Sequence, residues 1–176
     1  QEQRGSRASY ARFEQGGPDN DSVTPDIAAF IASMEGFYLG TVASNGYPYI
    51  QFRGGYPGFL KVLDEKTLGF ADFRGNVQYV SVGNLPENDK AFLFLTDYWR
   101  RLKIIGRARY VEGDRTLIDR LRMPEDDSEI ERAILFEIEG WDWNCPQHIP
   151  LRYSEQEMAV LQTRIAELER RLGESL

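Results

Sequence analysis

The chain is poor in cysteine and histidine. Its 176 residues include one cysteine, Cys145, and one histidine, His148. A lone thiol excludes an internal disulfide and a cysteine-based zinc site, and a lone imidazole excludes a two-histidine metal motif. There is no G-x-S-x-G nucleophile elbow, no G-x-x-x-x-G-K-[ST] phosphate loop and no G-x-G-x-x-G dinucleotide fingerprint. No uninterrupted apolar run approaches bilayer-spanning length. The amino-terminal stretch lacks the charged-then-apolar pattern of a secretory signal, so the cytoplasm is the expected address. Positive charge is in deficit, with 21 Lys and Arg against 28 Asp and Glu and a net charge of −7, which argues against nucleic acid or an anionic membrane as partner. Chemistry in such a chain is expected to come from a borrowed cofactor.

The sequence does hold the means to fold: 41% hydrophobic and 12% aromatic residues, enough for one domain with a sizeable core. Its expected organisation is an N-terminal arm over 1–22, a main domain over 23–152 and a C-terminal helix over 153–176. The arm is polar and Gly-rich, closing on Gln15-Gly16-Gly17-Pro18-Asp19-Asn20-Asp21. Thr24 and Pro25 then open a helix whose apolar face is Ile27, Phe30, Ile31 and Met34, and Gly36 ends it. From there the period becomes that of strands. Phe37–Ala43 and Tyr47–Arg53 flank the Asn45-Gly46 hairpin signal, and Phe59–Leu63 and Thr67–Ala71 flank Asp64-Glu65-Lys66. A short helix is expected within Asn76–Leu85, strands over Ala91–Thr96, Leu102–Val111 and Ala133–Trp141, and a helix over Asp114–Leu121. The fold class is mainly β (α+β): six or more short antiparallel strands with peripheral helices favour a closed or nearly closed barrel, since closure removes exposed edges.

Ser154-Glu155-Gln156-Glu157 has the form of a capping box, with Tyr153 and Met158 spaced as a hydrophobic staple. Beyond it Leu161, Ile165, Leu168 and Leu172 recur at spacings of four and three, as in a coiled-coil seam. This amphipathic helix packs either on its own domain or on a partner.

The stretch Tyr49–Asn88 is the richest in chemistry. Arg53 is followed at once by Gly54 and Gly55: glycine admits close backbone approach to a flat ligand, and arginine offers a rigid donor fork. Arg74-Gly75-Asn76 precedes a helical turn whose free N–H groups suit a phosphate. Each also reads more plainly, the first as a β-bulge with a solvated arginine and the second as a turn. The carboxylate run Glu125-Asp126-Asp127-Ser128-Glu129 lacks EF-hand spacing and reads as a solvated loop.

Taken together, Gln51-Phe52-Arg53-Gly54-Gly55, Phe59-Leu60-Lys61-Val62, Phe70-Ala71-Asp72-Phe73-Arg74-Gly75-Asn76 and Ser81-Val82-Gly83-Asn84 resemble the FMN-binding split-barrel family related to pyridoxamine 5′-phosphate oxidase. The resemblance covers Phe37–Val111 and extends through Trp141–Ile149. It implies a split β-barrel that works as a homodimer with FMN at the subunit interface. Gln51, Arg53, Gly54, Gly55, Phe59 and Lys61 would lie along the flavin, with Arg74, Asn76, Ser81 and Asn84 around its phosphate. Arg101 and Lys103 would reach it from the second subunit, and Trp141, Gln147 and His148 belong to the block that closes over it. Relatives often carry His at Phe52, Pro at Tyr56 and a basic residue at Val77, and the loss of a basic residue near the phosphate would weaken FMN binding. The C-terminal Arg-x-His signature of true pyridoxamine 5′-phosphate oxidase is absent, which argues against that substrate. The resemblance implies an FMN-dependent oxidoreductase fed by a reduced nicotinamide and serving a small acceptor. The alternatives are a flavin-binding or storage protein without turnover, a split barrel that takes heme or a deazaflavin, and a structural dimer with an eroded pocket.

Overall fold

The computed structural model describes residues 20–75, 77–97, 99–144, 147 and 153–173, with only the backbone described at position 156. Asn76, Cys145, His148 and most of the expected arm lie outside the described residues.

Helix α1 (Pro25–Ala32) begins as its sequence dictates: the Thr24 hydroxyl accepts from the Ile27 amide and Pro25 occupies the first turn. It buries Ile27, Phe30 and Ile31. The strands are β1 (Gly36–Val42), β2 (Pro48–Gly54), β3 (Lys61–Val62), β4 (Thr67–Phe73), β5 (Lys90–Thr96), β6 (Arg101–Val111) and β7 (Ile130–Trp143). They form one sheet in the order β2-β1-β5-β6-β7-β4-β3, antiparallel at every pairing. Alternation sets the inner face: Phe37, Leu39, Leu93, Leu95, Leu102 and Ile104 point inward and are fully buried. Gly46, at φ +85, turns the β1–β2 hairpin where the Asn-Gly signal placed it. The long strand β7 pairs with both β6 and β4, and the β6–β7 register shifts at Ile105/Gly106.

Helices α2 (Val80–Asn84) and α3 (Arg115–Leu121) cover the outside. Leu121 of α3 joins Ala71 and Ala133 in a small second core. That core explains why β4 is buried from Leu68 through Asp72 without alternation.

Three expected elements change most. The Phe59–Leu63 strand shrinks to Lys61–Val62 because Gly58, at φ +84, and the Phe59 N–H to Tyr56 carbonyl bond make a turn there. The Asn76–Leu85 helix contracts to Val80–Asn84, and the last strand lengthens at both ends to Ile130–Trp143. Helix α4 (Glu155–Gly173) carries the capping box in full: the Ser154 hydroxyl accepts from the Glu157 amide, and the Glu157 carboxylate accepts from the Ser154 amide. Tyr153, the expected staple residue, meets Trp99 edge-on with ring centroids 6.1 Å apart.

The two ends of the sheet, β2 and β4-β3, are joined by side chains. Arg53 Nη1 donates to Asp72 Oδ1 at 2.6 Å, and the ring of Phe37 on β1 stacks on that of Phe59, just before β3, at 5.6 Å. The architecture is a split barrel.

Candidate functional site

The split is where polar groups gather against the core. Strand β2 brings Gln51 and Arg53 to it, and β4 brings Asp72. The Arg53 side chain is 18% exposed and Asp72's is 5%, so the pair is largely withdrawn from water. Arg132 of β7 stands behind, its Nε 3.8 Å from the second Asp72 oxygen. Even between two guanidiniums, burial pushes the Asp72 carboxyl above its ordinary value, with Arg53 and then Arg132 opposing the shift. Arg132 also lies over the ring of Tyr79, whose hydroxyl donates to Glu131 and is thereby held above the usual phenol range. Gln51, Arg53, Asp72 and Tyr79 line a small pocket of about 60 Å³ together with Gly75, Val77, Gln78 and Val82. Arg53 Nε faces no hydrogen-bond partner although it is buried.

The expected site residues fall into distinct settings. Gln51 and Ser81 meet, the Ser81 hydroxyl donating to Gln51 Oε1 at 3.0 Å, so α2 is tied to β2 at the pocket's edge. Gly54 and Gly55 admit the chain's own rings: a Cβ at Gly54 would strike Phe52, and one at Gly55 would strike Phe59. Phe59 is buried in the core and stacked on Phe37, and Lys61 lies half-buried on the edge strand β3. Arg74 is exposed and paired with Glu129 at 3.1 Å. Asn84 is turned inward, its amide donating to the Thr41 hydroxyl at 2.9 Å. Asn76 and His148 lie outside the described residues, and Gln147 is exposed.

The later members of the set lie elsewhere on the sheet. Arg101, at the start of β6, lines a second, open cleft of about 750 Å³ with Phe30, Trp99, Arg100 and Trp143. Its Nη1 is buried without a hydrogen-bond partner. Lys103 Nζ pairs with Asp142 at 2.9 Å, and the Trp141 indole donates to the Ser22 carbonyl at 2.8 Å. The structure therefore brings Gln51, Arg53 and Ser81 together and leaves Arg101 in a separate pocket of the same chain.

Sequence reasoning passed over Asp72, Gln78, Tyr79 and Arg132. Asp72 carried a usable signal, a single carboxylate inside the apolar run Leu68–Phe73, because a buried charge is rarely left without a partner. Arg132 carried none, since only the β4–β7 pairing sets it behind Asp72. Among the described residues, no group of three or more His, Cys, Asp or Glu side chains is arranged to hold a metal ion.

Comparison with known proteins adds the family. A family model described as pyridoxamine 5′-phosphate oxidase matches residues 23–141. No curated protein matches the sequence. Among solved structures, HupZ of Group A Streptococcus is similar over 74% of this chain and 99% of its own, at 14% identity and a TM-score of 0.57. A Clostridium acetobutylicum protein related to general stress protein 26, of the pyridoxinephosphate oxidase family, is 19% identical over 73% of this chain and 92% of its own, with a TM-score of 0.51. General stress protein 26 of Bacillus anthracis is 18% identical over 68% of this chain and 91% of its own, with a TM-score of 0.50. At these identities the likeness is one of fold.

Proposed function

The chain belongs to the pyridoxamine 5′-phosphate oxidase family, and on that premise we propose that two copies bind FMN between them and act as an FMN-dependent oxidoreductase. The observation that carries the reading is the polar floor of the split. A buried guanidinium nitrogen of Arg53 without an acceptor, beside Gln51 and Asp72, suits the carbonyl and ring-nitrogen edge of a flavin. Arg74 suits the phosphate. Its pairing with Glu129 is exposed, and such pairs contribute at most about 1 kcal/mol, so a dianion can draw the guanidinium away. Val77, where relatives carry a cation, makes this phosphate site weaker than theirs.

Size supports a second copy. The pocket at Arg53 holds about 60 Å³, whereas ligand sites run to roughly 300–1,000 Å³. One chain offers a floor, and a flavin ring resting on it needs another wall. Arg101 and Lys103 belong to that second wall, a reading supported by their distance from Gln51 and Arg53 in the sheet order. The outer face of β2-β1-β5 is the surface for assembly: an apolar groove of about 640 Å³ runs there past Tyr38, Ile50, Phe92 and Phe94.

FMN supplies the hydride and electron transfer that no side chain of this protein can perform. The chain's own groups bind and orient it: Gln51 and Arg53 hold one edge, Asp72 fixes Arg53, and the α2 segment carrying Ser81 keeps Gln51 in place. The electron donor is NADH or NADPH and the acceptor a small molecule. The absorption spectrum of purified protein separates FMN from heme and from a deazaflavin. Titration of apoprotein with FMN, followed by flavin fluorescence, should show Arg53→Ala binding about 1–3 kcal/mol more weakly. Turnover of NADH or NADPH separates an enzyme from a flavin store. Unchanged FMN affinity in Arg53→Ala removes the site.

A further inference from the structure

Helix α4 exposes its whole apolar seam. Met158, Leu161, Ile165, Leu168 and Leu172 are each between 41% and 67% exposed, in a helix whose other residues are mostly charged or polar. Their spacing fixes a heptad register in which Met158, Ile165 and Leu172 take a positions and Leu161 and Leu168 take d positions. A β-branched residue at the central a position with leucine at d is the pattern of a parallel two-stranded coiled coil. We infer that α4 pairs in parallel and in register with α4 of a second copy, forming an interface separate from the barrel face.

The flanking charges choose the orientation. Arg164 falls at g and Glu169 at the following e, the two positions that meet across a parallel pair. Glu169 has Ile165, Ala166, Leu172 and Gly173 at three and four residues away, so its own helix offers it no cation at those spacings. Across the dyad it meets the partner's Arg164, and the contact occurs twice by symmetry. An antiparallel pair sets g against g, bringing Arg164 towards the partner's Arg171, a like-charge contact. Arg164 also bonds Glu167 within its helix at 2.7 Å, which leaves the second guanidinium edge for the partner.

A helix of 19 residues is marginal as an isolated coil. Tethering to a dimeric barrel raises the local concentration of its partner to about the millimolar range and makes pairing favourable. The inference rests on the two-copy part of the proposed function and not on the flavin.

The test uses the full chain with Cys145→Ser, into which Leu168→Cys or, separately, Leu161→Cys is introduced. Oxidation should link two copies through the same position, since matched d positions face each other only in a parallel, in-register pair. Arg164→Glu and Glu169→Arg should each slow the crosslinking about tenfold, and together restore it, because the double exchange recreates the attraction. Crosslinking indifferent to these exchanges overturns the register. A dimer by sedimentation that crosslinks at neither position overturns the helix pair and leaves the barrel interface standing. A monomer overturns both, and FMN content measured on the same samples reports the flavin reading independently.

Discussion

Asp72 shows how one side chain can both close a barrel and shape a pocket. Its carboxylate bridges the split through Arg53, and removing it strands a largely buried cation. Asp72→Ala should therefore cost about 3 kcal/mol in urea unfolding, in the range for breaking a buried pair, while Arg74→Ala, at an exposed pair, should cost less than about 1 kcal/mol. The pH dependence follows from the direction of the shift. Burial raises the folded carboxyl above its ordinary 3.8, so the folded state holds this proton more tightly than the unfolded chain. The contribution is full below 3.8 and is lost as pH rises through the elevated folded value. Asp72→Asn keeps an acceptor for Arg53 and drops the ionisation. Its stability relative to wild type should rise from acid towards neutral pH, measured by urea midpoints; a flat difference contradicts the assignment. At this scale the sequence was legible in part. Arg53 stood out by its glycines, yet those glycines admit Phe52 and Phe59. The Asn84 amide donates to the Thr41 hydroxyl, 43 residues away, a contact that nothing local in the sequence reveals.

Among elements, legibility followed local periodicity. Strands β1, β5 and β6 alternate cleanly and were readable, as were α1 and α4 through their caps. β4 ended two residues later than expected because Asp72 and Phe73 continue its ladder against β7, and β3 was cut short by a turn at Gly58. Glycines separate elements that tolerate a side chain from those that do not. At Gly106, where β6 shifts register on β7, a Cβ would overlap the Glu137 carbonyl oxygen. Gly106→Ala should destabilise the fold by about 3 kcal/mol. Gly83, in α2, meets nothing within 4 Å, so Gly83→Ala should be neutral or stabilising by about 0.5–1 kcal/mol. Thermal unfolding of both variants checks the pair, and similar losses at the two positions would contradict this account of α2.

Among the described residues, apolar side chains cluster on the outer face of the sheet. Tyr38, Ile50 and Phe52 stand exposed on the outer face of β1 and β2, with Tyr38 and Phe52 in edge-to-face contact at 5.4 Å. Contiguous patches of this kind mark interaction sites. No sequence pattern announced them, because alternation shows only that these residues face away from the core, not that a second surface waits for them. In the proposed assembly this face meets its own copy across a two-fold axis, so one substitution is felt twice. Ile50 is 67% exposed in the single chain, and Ile50→Glu should change the stability of the barrel itself by less than about 0.5 kcal/mol. Within the dimer the same change buries a carboxylate opposite apolar rings, at a cost of several kcal/mol. Sedimentation at micromolar concentration should therefore find Ile50→Glu dissociated. Its circular dichroism should match wild type, and its bound FMN, counted by absorbance per chain, should be lost with the dimer. A folded monomer that keeps stoichiometric FMN would show that one chain encloses the flavin by itself, and the shared-wall arrangement would fall.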